Sequence, residues 1–194
     1  MFSTKSQILP GAIPEPAEVT KPNVGAPGGS QPLLSPEAAR KAAEVSEQRA
    51  AAFGRILAIM SASNRHSKLS LRELNTYVTP AIALGQFAIV GAQQQQGGPM
   101  AVAAVAWWAM VSPEVDKRLS ESTSEFLHVE GKDWKSGIQP WVIDTVGDPK
   151  IVGELLKKLA EGSFKAMPAK IRAAMPDGRM AVGFIKPKDA EPQK

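Results

Sequence analysis

The chain has 194 residues, a length that suits one domain with an appendage, and 43% of them are hydrophobic, enough for a real core. Cysteine is absent and histidine occurs twice, as His66 and His128, which excludes disulfides, a Cys nucleophile, an enzyme-bound thioester and Cys- or His-rich metal clusters. The net charge is +4 and uneven, since residues 150–194 hold ten Lys or Arg against five Asp or Glu.

Residues 1–34 hold six Pro and four Gly and few large apolar side chains. Such a segment buries too little surface to offset its ordering entropy, so a disordered tail is expected. Residues 1–13 contain no long apolar run, so no secretory signal is expected. Ser35-Pro36-Glu37 reads as a helix start: a hydroxyl cap, Pro at the first position, then an acid at the positive dipole end. The helix should run to about Met60, with Phe53, Ile56, Leu57 and Met60 at core-facing spacing. Residues 61–68 form a polar loop that contains His66. A second helix over residues 69–78 should be interrupted at Thr79-Pro80.

Residues 86–91 and 100–110 read as two strands of a hairpin with a polar loop between them. The second is almost continuously apolar, as a strand buried on both faces would be. The most apolar run, residues 100–111, is about half of the ~20 residues a membrane helix needs, and a soluble cytoplasmic protein is expected. Ser112-Pro113-Glu114 opens a helix predicted to reach about Leu127. Trp141-Val142-Ile143-Asp144 is a short strand ending in an acid, and residues 149–160 form an amphipathic helix. Residues 171–184 should fold as a last hairpin around Pro176-Asp177-Gly178-Arg179. The fold class is therefore α+β, a mixed and largely antiparallel sheet flanked by helices. Residues 35–187 make up the domain and 188–194 a short polar tail. The basic C-terminal part favours an acidic partner, or is simply a solvated tail. Its cations are not interleaved with aromatics and no zinc-finger or RNA-binding signature occurs, so nucleic acid is not an expected partner.

Few residues carry chemistry. His66 is a lone imidazole, able to move protons near neutral pH, though a surface histidine is the plainer reading. His128 follows a helix end, where it favours the negative dipole end. Asp144 is an acid inside an apolar strand, costly to bury unless paired. It either caps a turn or partners an imidazole N–H, and it lies 78 residues beyond His66. Trp107 and Trp108 point to opposite faces of a strand, so core packing fits them better than a lipid-binding wall. The Gln93–Gln96 run suggests no mechanism. No Walker loop, Gly-x-Gly-x-x-Gly or Gly-x-Ser-x-Gly is present, which leaves nucleotide hydrolysis and serine-hydrolase chemistry without support.

From about Phe53 onward the order of features resembles the lysine acyltransferases that activate RTX toxins, the haemolysin-activating family. The resemblance rests on Phe53-Gly54 leading into residues 61–66, then Pro80-Ala81-Ile82 with Gln86-Phe87. Residues 104–108, Asp133-Trp134-Lys135-Ser136-Gly137, Trp141-Val142-Ile143-Asp144 and Phe164-Lys165-Ala166 follow in the family's order. The resemblance implies a GNAT-like fold and an acyltransferase that moves a fatty acyl group from acyl carrier protein to an internal lysine of an RTX-type protoxin. It implies no bound cofactor and no metal, with acylated carrier protein as co-substrate. A homodimer is allowed, and no membrane span is expected. The family's catalytic His and Asp fall on His66 and Asp144. His66 would deprotonate the lysine amine, with Asp144 orienting the ring; an acyl-imidazole on His66 is the alternative route. The family has Asn eleven positions after its His, where this sequence has Tyr77. Asn75 lies roughly 200° away around a helix and does not replace it, while Tyr77 can donate through its hydroxyl. Two other readings stand beside the acyltransferase. One is an inactive relative that binds a carrier or toxin, and the other is a GNAT-like enzyme that uses acyl-CoA. The missing pyrophosphate loop speaks against the second.

Overall fold

A computed structural model of the protein describes residues 7–10, 35–93, 100–175 and 180–187. The hairpin tip at residues 176–179 and the polar tail at 188–194 lie outside the described residues, as does most of the loop between the first two predicted strands.

Local signals set the helix starts. Ser35 Oγ accepts from the Ala38 amide and opens α1, Pro36–Ser61. Ala52, Ile56 and Met60 recur at four-residue intervals on its buried face. Helix α2, Leu71–Tyr77, starts at a capping box in which Ser70 and Glu73 exchange side-chain and backbone bonds. It stops at Val78, and α3, Thr79–Ala83, continues with Pro80 in its first turn. Ser112 caps α4, Pro113–Glu121, and Asp148 caps α5, Pro149–Glu161.

The strands are β1 (Gln7–Pro10), β2 (Phe87–Gln93), β3 (Met100–Val111), β4 (Gln139–Gly147), β5 (Ala169–Ala174) and β6 (Met180–Ile185). They lie in one six-stranded sheet in sequence order. All neighbours are antiparallel except β4 and β5, which are parallel and joined through α5. The α+β class and the mixed, largely antiparallel sheet are as expected. One face carries Trp107, Trp141 and Val105 against Ile56, Met60, Val78 and Leu119 of the helices before β4. The other carries Trp108 and Val142 against Leu155 and Leu159 of α5 and Phe164 beyond it. Trp107 and Trp108 thus enter opposite cores, as alternation requires.

Two expectations need correction. The N-terminal segment was expected to be irregular throughout, yet Gln7–Pro10 pairs with residues 88–91 of β2 and forms an edge strand. The exposed backbone donors and acceptors of β2 recruit it. The rest of residues 1–34 lies outside the described residues. Helix α4 ends at Glu121, about six residues before the expected Leu127. The reason is not local. Arg172 of β5 donates to the carbonyls of Ser122 (2.7 Å), Ser124 and Glu125 (3.1 Å), and Arg65 donates to Glu125 O at 2.9 Å. These guanidiniums satisfy carbonyls that helix amides would otherwise take.

The Asp133-Trp134-Lys135-Ser136-Gly137 motif clamps the end of β3. Trp134 is fully buried and its indole N–H donates to Val129 O at 3.2 Å. Met110 N donates to Trp134 O at 2.9 Å, Gly137 N to Met110 O at 3.1 Å, and Ser112 N to Ser136 Oγ at 2.9 Å. A Cβ on Gly137 would meet Val111 O at 2.4 Å, so only glycine permits the approach. Asp133 also pairs with Arg118 of α4 at 2.5 Å. Among the described residues no helix is long and apolar enough to cross a membrane.

Candidate active site

The turn that follows α1 positions the histidine. Ser63 N donates to Met60 O, and His66 N and Ser67 N both donate to Ser63 O. This tight turn points His66 inward, where it is 4% exposed. The plainer reading of a surface histidine is therefore overturned: the loop is polar, but Phe126 and Asp144 cover the ring.

Asp144 reaches the same place through a kink in β4. Trp107 pairs with Asp144 and Trp108 with Val142, which leaves Ile143 without a partner across the ladder. Such a β-bulge re-aims the residue beyond it. Strict alternation would put Asp144 beside Val142, in the core under α5. The bulge turns it to the face of Trp107 and Trp141, toward the helices and His66.

The two residues meet despite their separation in sequence. His66 Nε2 lies 2.9 Å from Asp144 Oδ2, and His66 Nδ1 lies 2.8 Å from Ser63 Oγ. Tyr77 OH donates to the same Oδ2 at 2.7 Å. Asp144 Oδ1 accepts from Arg65 Nη1 and from the Thr145 amide, each at 2.8 Å. Four donors therefore surround one buried carboxylate. Burial opposes its charge, but the His66 hydrogen bond, the Arg65 guanidinium and the Tyr77 hydroxyl outweigh burial and hold its pKa below the ordinary carboxylate value. Tyr77 moves the other way. Burial first, then the charge of Asp144 and the bond to it, raise the phenol well above its usual pKa, so Tyr77 stays a donor.

An ionised Asp144 only accepts, so in the neutral ring Nε2 carries the hydrogen and Nδ1 the lone pair. Ser63 then donates to Nδ1. The result is a hydroxyl–imidazole–carboxylate hydrogen-bond chain, connected in the same order as in a Ser-His-Asp system. Phe126 roofs it. Its ring lies 5.5 Å from the rings of both His66 and Tyr77 and 4.7 Å from the Arg65 guanidinium carbon.

A cleft of about 330 Å³ opens beside Asp144. It exists because β4 and β5 pair only at Trp141–Lys170 and Val142–Ile171 and then part. Asp144 and Thr145 line one wall, Ile171 and Arg172 the other, with Arg65 and Met180 at the sides.

His128 is exposed and lies apart from these contacts. Ser63, Arg65 and Phe126 were not singled out in the sequence. Ser63 and Arg65 lie in the 61–66 run that carries part of the resemblance, whereas Phe126 sits in a stretch that reads as helix. Among the described residues no group of three His, Asp or Glu could hold a metal ion.

A search of curated proteins found no match. A family model described as HlyC, RTX toxin acyltransferase, matches residues 45–181, a span from within α1 into β6 that contains Ser63, His66, Tyr77 and Asp144. The chain belongs to the RTX toxin acyltransferase family and is an acyltransferase that acts on RTX toxins.

Proposed function

We propose that the protein transfers a fatty acyl group from acylated carrier protein to the side-chain amine of an internal lysine in an RTX protoxin, with His66 as general base. The observation that carries this reading is the Ser63–His66–Asp144 chain, whose carboxylate end lines the β4–β5 cleft. A lysine amine is protonated at neutral pH and cannot attack until it loses a proton. The lone pair at His66 Nδ1 takes that proton, relayed through the Ser63 hydroxyl that sits on it. The freed amine attacks the thioester carbonyl, the C–S bond breaks, the thiolate takes the proton held by His66, and the nitrogen's second proton passes through His66 to solvent. The product is an amide and a free carrier thiol. Asp144 fixes the ring's tautomer and balances the imidazolium. Both ring nitrogens are already hydrogen-bonded, which favours base catalysis over acylation of the ring.

A carrier-borne donor suits the parted strands, which offer a slot for a thioester arm, and suits the basic C-terminal segment. The test is mass spectrometry of toxin lysines after incubation with purified enzyme and either acylated carrier or acyl-CoA. Transfer from the carrier should exceed transfer from acyl-CoA at equal concentration. Transfer from acyl-CoA alone would replace the donor, and no transfer from either would mark an inactive relative. An acyl adduct on His66 or Ser63, formed without toxin at the catalytic rate, would replace direct transfer by a two-step route.

Tyr77 should tune this chemistry rather than perform it. Tyr77→Phe removes one of the two donors on Asp144 Oδ2. The carboxylate then holds the imidazolium more tightly, so a higher pH is needed to free the base. The acid limb of the pH–rate profile should move up by roughly half a unit to one unit, the ~1 kcal/mol net worth of a hydrogen bond. An unmoved limb would assign Tyr77 to packing alone.

A further inference from the structure

Strands β5 and β6 form the free edge of the sheet opposite β1. Lys170 pairs with Phe184 and Arg172 with Val182. Cross-strand partners share a face and side chains alternate along a strand, so these four and Met180 lie on one side. That side faces α4, because Lys170 Nζ contacts both carboxylate oxygens of Asp116 at 2.8 Å. Arg172 on this face holds the carbonyls of Ser122, Ser124 and Glu125 and Val182 packs toward the core, while Phe184 and Met180 are left open. Phe184 is 56% exposed and Met180 46%. The ammonium groups of Lys170 and Lys186 lie 5.9 and 5.8 Å from the centre of the Phe184 ring. Residues 169–175 and 180–187 include Lys170, Arg172 and Lys186 but no Asp or Glu. The apolar stripe also runs into the cleft, since Met180 and Arg172 line it beside Asp144.

We propose that this face of the β5–β6 hairpin is the docking surface for an acidic protein, the acyl carrier that brings the donor thioester. This rests on the donor reading above. An exposed aromatic ring bracketed by cations supplies an anchor with a charged rim. The strands themselves carry cations and no carboxylate, and Lys186 is exposed outside the Lys170–Asp116 pair, which favours an acidic partner over a basic one. Continuity with the cleft gives the choice of partner. A carrier seated on Phe184 would send its flexible arm past Met180 into the gap between β4 and β5.

Phe184→Asp and Lys186→Glu, each in the full chain, test the proposal. Both side chains are exposed, so the fold should persist, as circular dichroism would check. Binding of fluorescently labelled carrier is read by anisotropy, and KM is measured separately for acylated carrier and for toxin. Phe184→Asp should raise the carrier's Kd and KM about tenfold, the loss of one hot-spot side chain, with toxin KM unchanged. Lys186→Glu should raise them about threefold, an effect that shrinks as salt screens the charge. Wild-type carrier Kd and KM in both variants would overturn the proposal. So would a rise confined to toxin KM, which would give the surface to the acceptor. A wild-type dimer that Phe184→Asp splits while carrier binding stays intact would give it to a second copy and also overturn the proposal. If the wild-type enzyme neither binds the carrier nor uses it, the donor reading itself fails, an outcome visible before any variant is made.

Discussion

His66→Ala is expected to reduce acyl transfer by about 10²–10⁴-fold, the usual contribution of a general base. The loss should appear in kcat, because the ring acts on the amine proton rather than on the binding of carrier or toxin. The fold should survive with some loss of stability. His66 is 4% exposed, and its removal takes one donor from Asp144 and opens a void against Phe126. That should cost about 1–3 kcal/mol, seen as a lower thermal midpoint with an unchanged far-ultraviolet spectrum. His128→Ala is the matched control. His128 is exposed and outside the cluster, so both its rate and its melting should stay near wild type. A His66 variant that modifies toxin lysines at the wild-type rate would remove the imidazole from the mechanism. Loss of activity in the His128 variant instead would move the site.

How far the sequence foretold this arrangement depends on the range of the interactions involved. Ser35, Ser70 and Ser112 cap helices through bonds to amides three residues away, so composition alone marks those starts or their neighbourhoods. The break between α2 and α3 follows from Pro80 in the same local way. The end of α4 does not, because the guanidinium that holds residues 122–125 comes from β5, about fifty residues later. That early end also frees Phe126 to lie over His66, which the expected helix through Leu127 concealed. Strand β1 was missed because its Pro- and Gly-rich surroundings lack a strand pattern, and its pairing is supplied by the edge of β2. His66 and Asp144 were found through short motifs that resemble a family. Their contact depends on the bulge at Ile143, and alternation read from the sequence places Asp144 on the wrong face. Ser63 illustrates the same limit: it becomes legible only when the turn after α1 sets it on His66 Nδ1. Tyr77 is legible as a hydroxyl donor, but its target, Asp144 Oδ2, is not.

Asp144→Asn should be nearly as damaging as loss of the imidazole, for an electrostatic reason. The amide nearly matches the carboxylate in shape but offers one acceptor and one donor where four donors now converge. If the amide NH₂ faces His66, it donates to Nε2. The ring must then carry its hydrogen on Nδ1, the atom meant to accept from Ser63. If the amide oxygen faces His66, the tautomer survives but the imidazolium loses its counter-charge. The amide NH₂ then meets Arg65 and the Thr145 amide, two donors. Either orientation should lower kcat by about 10²–10⁴-fold, measured as acylated lysine per unit time with saturating carrier and toxin. Stability carries a second signature. The folded carboxyl titrates below its unfolded value of about 3.9, so its contribution is complete above that pH and is lost as pH falls through the lower folded value. Wild type should therefore lose more stability than Asp144→Asn between about pH 5 and pH 2, and denaturant titrations at fixed pH values would measure the difference. Parallel acid profiles in the two proteins would mean that Asp144 is not the stabilised anion its four donors imply. A variant that keeps wild-type kcat would leave His66 without need of its carboxylate.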